Sequence, residues 1–153
     1  MKRFFICLIL LLIGTITAAA CTCTDTREYY YKKAKMIFQG KIDSISTADM
    51  FNVRKATFSV LKRWKGGAKE KVTIFVADSG PCSGFKFQEG TTYLIYANPT
   101  TYYREGKEFA YDMYASSDCG VSRDINGEYA NDEYTKKVIR QLGSPWFRFK
   151  ARW

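Results

Sequence analysis

The chain has 153 residues, 46% of them hydrophobic and 25% charged, with no histidine and a net charge of +9. That is enough for one domain with a real core. The missing histidine removes the commonest general base and the commonest zinc ligand.

Residues 1–20 read as an export signal. Lys2 and Arg3 form a basic start, Phe4 to Ile13 an unbroken apolar run, and Ala18-Ala19-Ala20 a small-residue cleavage site. The run is too short for a membrane span, and no second one follows. Cleavage there makes Cys21 the first mature residue and places the protein outside the cell. Loss of Lys2 and Arg3 leaves 22 basic against 15 acidic residues, a mature charge of +7. Such a surface suits an acidic polysaccharide or an acidic protein face, and equally an inert basic exterior.

Asp25 and Glu28 have the spacing of a helix start, and a short helix to about Lys35 puts Tyr30 and Ala34 on one face. Ile37 to Ile45 reads as a strand with Gly40 at a bulge or bend. Ser46 to Met50 is a polar turn. Asn52 to Trp64 is a second strand with Ala56, Phe58 and Val60 facing inward. Val72, Ile74 and Val76 mark a third. Residues 79–84 form a loop by composition, and Thr91 to Ala97 is a fourth strand broken by Asn98-Pro99-Thr100. Phe109 to Ser116 is a fifth.

Ser122 to Ala130 reads as irregular. Asn131 caps a second helix, with Tyr134, Val138, Ile139 and Leu142 on one face and Glu133 spaced to pair with Lys137; Gly143 and Pro145 end it. Residues 143–153 form an aromatic-basic tail, readable as an edge strand or as a loose end touching anionic surfaces; the loosely tied end is the preferred reading. Five short antiparallel strands with two flanking helices predict a mainly β domain, a five-stranded antiparallel Greek-key barrel of the OB-fold type.

The cysteines carry the most chemistry. Cys7 leaves with the signal, and Cys21, Cys23, Cys82 and Cys119 remain. An even count in an exported chain argues for two disulfides, with three possible connectivities. Cys21 and Cys23 are too close to pair easily, so each reaches for a distant partner. Each long loop so closed contributes roughly 4–5 kcal/mol in the chain-entropy picture. A Cys metal cluster is disfavoured, because Cys82 and Cys119 lack any C-x-x-C partner. No nucleophile elbow, H-E-x-x-H or phosphate-binding glycine loop is present, and no histidine can activate a cysteine, so the chain is read as a non-enzyme. A mature Cys21 has a free α-amine beside its own carbonyl, and the two together can close a five-membered chelate ring on a metal.

On these residues the chain resembles the inhibitory domain of the tissue inhibitors of metalloproteinases, within the netrin-like group. The likeness starts at Cys21-Thr22-Cys23 and runs through Ala34-Lys35-Met36-Ile37-Phe38-Gln39-Gly40, Phe58-Ser59-Val60 and Lys65-Gly66. It continues at Pro81-Cys82-Ser83-Gly84-Phe85, Gly90-Thr91-Thr92-Tyr93-Leu94-Ile95-Tyr96-Ala97 and Ser117-Asp118-Cys119, so the likeness spans residues 21–142. It implies an OB-type barrel with bridges Cys21–Cys82 and Cys23–Cys119. It also implies that the Cys21 amine and carbonyl chelate the zinc of a target metalloendopeptidase. Thr22 would enter the adjoining specificity pocket, and Thr24 with Gly80, Pro81, Cys82 and Ser83 would fill the cleft on either side. The protein itself would need no cofactor, the zinc belonging to its target. It would act as a monomer, with no nucleic-acid partner and no transmembrane segment.

The chain departs from the family pattern in lacking a third disulfide, the second disulfide-rich domain of the animal inhibitors, and a long turn at Ser46–Met50. Two other readings share the same residues. Netrin-like units also serve as adhesion or polysaccharide-binding modules without inhibitory activity. Ala18-Ala19-Ala20-Cys21 is also readable as a bacterial lipobox, which would acylate the Cys21 amine and anchor a lipoprotein there; the even cysteine count argues against it.

Overall fold

The computed structural model of the protein describes residues 27–67, 69–77, 86–116, 122–127 and 131–148. In chain order these form α1 (Arg27–Lys33), β1 (Met36–Ile45), β2 (Val53–Lys65), β3 (Lys71–Ala77), β4 (Thr92–Arg104), β5 (Lys107–Ser116), β6 (Arg123–Asp124), α2 (Glu133–Leu142) and β7 (Phe147–Arg148). Among the described residues the fold is mainly β, one seven-stranded sheet with two helices.

The sheet runs β1-β2-β3-β5-β4-β6, β1 also pairs with β4, and β7 adds to β2. Each of the first five strands therefore has two strand neighbours among these five. Four of their five pairings are antiparallel, but β3 and β5 run parallel, which corrects the expectation of an all-antiparallel set. Parallel neighbours need a long crossover. Here β4 and the residues leading to it supply one.

Alternation in β1, β2 and β3 follows from burial of one face. Phe38, Ile42, Ala56, Phe58, Val60, Ile74 and Val76 point into a central cluster with Phe87, Tyr93, Ile95, Ala97 and Ala115. The Phe38 and Phe58 rings meet edge to face at 5.4 Å. β4 does not alternate: Thr92 to Ala97 are all buried. Its second face lies under the helices, where Leu94 and Tyr96 pack with Ala34, Ile37, Trp64 and Val138. Both helices thus cover one side of β1, β2 and β4. Among the described residues, no helix is long and apolar enough to cross a membrane.

Gly40 sits at a register shift of β1 against β2, where a bulge or bend was expected. A Cβ there would stand 2.9 Å from the Phe38 ring and 3.0 Å from the Ser59 carbonyl oxygen. Close packing of ring and backbone, rather than an unusual φ, demands the glycine.

Several local expectations change. β4 does not break at Pro99 but continues to Arg104; a register shift between Asn98 and Thr100 absorbs the missing N–H. Asp132, not Asn131, caps α2: its carboxylate accepts from Tyr134 N at 3.3 Å and Thr135 N at 3.1 Å. The helix ends on Gly143, whose φ is 70°. Glu133 pairs with Lys136 and Arg140 rather than Lys137. Tyr134 is exposed and lies under the Arg123 guanidinium, while Thr135 takes the buried place. The stretch expected to be irregular after Ser122 contains β6, which pairs with Tyr93 and Leu94. The tail starts as an edge strand, with Lys62 opposite Arg148 and Arg63 opposite Phe147.

Candidate functional site

The expected site residues Cys21, Thr22, Cys23 and Thr24, with Gly80, Pro81, Cys82, Ser83 and Cys119, lie outside the described residues, as does the expected Asp25 cap. What the fold does define is where the chain leaves and rejoins the sheet around them.

β3 ends at Ala77 and β5 at Ser116, and these two residues are partners in the parallel pair, after Phe75 opposite Tyr114 and Val76 opposite Ala115. β3 and β5 therefore end side by side and pointing the same way, roughly 5 Å apart, at Ala77 and Ser116, five residues before Cys82 and three before Cys119 in sequence. The second segment is also fixed where it returns: Ser122 Oγ accepts from Tyr96 N at 3.1 Å and donates to Tyr96 O at 3.3 Å. Tyr96 pairs with Ile37 at the start of β1.

The segment that carries Cys21 and Cys23 leads into α1. The helix has an acidic first turn and a basic last turn, matching its macrodipole. Lys65, at the end of β2, donates to the carbonyls of Tyr31 at 2.8 Å and Lys32 at 3.0 Å, satisfying groups the helix end leaves open. Lys35 N then donates to Ala97 O at 2.9 Å. Ala97 precedes Asn98, which pairs with Tyr114, which in turn pairs with Phe75. One row of backbone pairing thus links the α1–β1 junction to the ends of β5 and β3.

Beside this row lies an aromatic cluster that sequence reasoning missed. Val53, Ala77, Tyr111 and Tyr114 are buried together with Phe51, Phe75 and Tyr102 around them. Phe51 and Tyr102 stack at 5.3 Å, and Tyr102 donates to Tyr114 through their hydroxyls at 2.7 Å. Asp49 holds the β1–β2 connection against it, accepting from Phe51 N at 2.8 Å, Val53 N at 3.0 Å and the Tyr111 hydroxyl. Burial alone would raise the Asp49 pKa; the hydrogen bonds from Tyr111, Val53 and Phe51 outweigh it and hold the carboxylate below its usual range. Burial, then the Asp49 hydrogen bond and charge, push the Tyr111 phenol up. Asn52 closes this turn at φ 57°, a left-handed conformation that Asn tolerates. An Asp followed by an Asn three residues on was the available signal for the turn; nothing local pointed to Tyr111.

Among the described residues, no three His, Cys, Asp or Glu side chains gather as a metal site. Compared with known proteins, the sequence matches no family model, and no curated protein matches it.

Proposed function

We propose that the mature protein is a secreted inhibitor of zinc metalloendopeptidases, of the tissue-inhibitor type, acting through the free N-terminal amine and carbonyl of Cys21. The observation that carries this reading is the parallel pairing of Ala77 with Ser116. It ends β3 and β5 side by side shortly before Cys82 and Cys119 in sequence, which supports a reading in which both cysteines bridge to the one C-x-C. The fold proposed is an OB-type barrel, supported by the order β1-β2-β3-β5-β4 with β4 paired back to β1.

A metalloendopeptidase zinc keeps one coordination position for water. The Cys21 amine and carbonyl oxygen displace that water and chelate the target's metal, while Thr22 points into the adjoining pocket. Thr24 and Gly80, Pro81, Cys82 and Ser83 line the cleft on either side. Bridges Cys21–Cys82 and Cys23–Cys119 fix this wedge, so little conformational entropy is lost on docking. The amine must be neutral to bind. With an ordinary pKa of about 7.7–8.0, losing its proton costs little near neutrality.

The test is an inhibition constant for the mature protein and for a form with one alanine added before Cys21, against a panel of zinc endopeptidases. The extension turns the Cys21 amine into an amide, a poor zinc ligand, and leaves both bridges intact. The extended form is expected to lose inhibition. Equal potency of the two forms removes chelation, and mass spectrometry showing an acylated Cys21 replaces the secreted inhibitor with a lipoprotein.

A further inference from the structure

Asn126 and Gly127 form the chain's one Asn-Gly pair, and both residues are exposed. An asparagine is lost spontaneously when the next residue's backbone nitrogen attacks its side-chain carbonyl carbon. Of the four asparagines, Asn98 precedes a proline with no N–H to lose, and Asn52 precedes the branched Val53. Asn131 precedes Asp132, whose side chain crowds the nitrogen. Gly127 leaves the approach to Asn126 bare. The fold keeps a glycine there, because a Cβ at Gly127 would run into the Asp124 carboxylate.

The same turn restrains the reaction. Asp124 Oδ1 accepts from Asn126 N and from Gly127 N, each at 2.7 Å. The attacking nitrogen thus donates its proton to a negative charge, which opposes loss of that proton. Asn126 Nδ2, the group that has to leave, donates to Thr92 Oγ1 at 3.1 Å. Both restraints depend on β6 staying on β4. Asp124 pairs with Tyr93, and Ile125 N donates to Thr92 O at 2.9 Å. β6 is two residues long, so it belongs among the elements that open locally at little cost.

We infer that Asn126–Gly127 is a spontaneous modification site, latent while β6 is paired and converted when β6 lifts. Hydroxide takes the Gly127 amide proton, and the freed nitrogen bonds to Asn126 Cγ. The bond from Cγ to Nδ2 breaks, and the nitrogen leaves as ammonia with a proton from water. Water then opens the five-membered imide at either carbonyl, giving aspartate or isoaspartate. Isoaspartate also lengthens the main chain by one carbon. Both products replace the Nδ2 donor to Thr92 with an acid, so the turn that holds β6 is weakened. The site records time spent open, and it is independent of Cys21 and of any protease the protein inhibits.

The test incubates the full mature chain at mildly alkaline pH, folded and in denaturant. Mass spectrometry follows the peptide containing Asn126, with isoaspartate resolved by chromatography. Conversion in denaturant should be at least several-fold faster than in the folded protein. Asp124→Ala, which frees the Gly127 N–H, should speed the folded protein several-fold and leave the denatured rate nearly unchanged. Thr92→Val, which frees only the Asn126 side-chain amide, should act in the same direction to a smaller extent, and it decides the matter if Asp124→Ala melts early. Asn131 in the same digest is the reference and should stay slow in every folded sample. Equal rates in the folded and denatured parent overturn the inference. So do folded variants as slow as the parent, or an acceleration at Asn131 equal to that at Asn126, which would mean general loosening.

Discussion

The carboxylate of Asp49 accepts the hydroxyl of Tyr111, from a position 62 residues away in sequence. The contact ties the β1–β2 connection to β5, beside the strand ends from which the Cys82 and Cys119 segments leave. Tyr111→Phe removes this bond and keeps the ring, so it should cost about 1 kcal/mol. Asp49→Ala also strands the N–H groups of Phe51 and Val53 and should cost more. Denaturant melts of both variants check the order; an Asp49→Ala protein as stable as Tyr111→Phe would show that the turn holds without its acid.

The same pair confines stability from both sides of the pH scale. Asp49 has a folded pKa below its unfolded value of about 3.9, so its contribution is present above that pH and is lost as pH falls through the folded value. Tyr111 has a folded pKa above the unfolded value of about 10, so its contribution is present below pH 10 and is lost as pH rises through the folded value. Thermal midpoints measured across pH should fall at both ends. Asp49→Asn should flatten the acid limb, and Tyr111→Phe the alkaline one. Limbs identical to the parent's would assign the losses to other groups.

Gly40→Ala should destabilise the domain by about 1–3 kcal/mol, because the new methyl meets the Phe38 ring and the Ser59 carbonyl at once. Trimming Phe38 to Leu in the same chain should recover part of the loss. A neutral Gly40→Ala would mean that β1 shifts freely at this point, against its two-sided pairing with β2 and β4.

Thr22→Gly should weaken inhibition by about 2 kcal/mol or more while leaving the melt unchanged, if its side chain fills a desolvated pocket of the target. In the same preparation a non-reducing peptide map should give Cys21–Cys82 and Cys23–Cys119. A Cys82–Cys119 bridge, or undiminished inhibition by Thr22→Gly against every protease tried, removes the corresponding part of the proposed mechanism.

The strands whose burial alternates were legible, because Ala56, Phe58 and Val60 and then Ile74 and Val76 repeat with period two. β4 was cut short, because proline reads as a breaker, whereas a bulge at Asn98–Thr100 accommodates it. Asn131 and Asp132 are equally good caps by type. Reach to Thr135 N, and the Arg123 guanidinium 2.9 Å from Asp132, single out the second. β6 and β7 are two residues each, too short for any periodic signal. The parallel partner of β3 was illegible, since a strand's own residues do not name its neighbour. At the candidate site, the C-x-C spacing could be read locally, but the Asp49–Tyr111 contact could not.

The parallel junction of β3 and β5 also imposes an order of events on the maturing chain. β1 with β2, β2 with β3, and β4 with β5 are antiparallel neighbours in sequence, which can zip from their own turns. Phe75 and Tyr114 meet only after the whole intervening chain has crossed over. Until then Ala77 and Ser116, after which the chain runs on to Cys82 and Cys119, are not neighbours. If the proposed bridges form, oxidation that outruns this crossover meets the four thiols of the proposed mature chain with no geometric preference, so exchange among trapped bridges, rather than strand formation, would set the pace of their maturation.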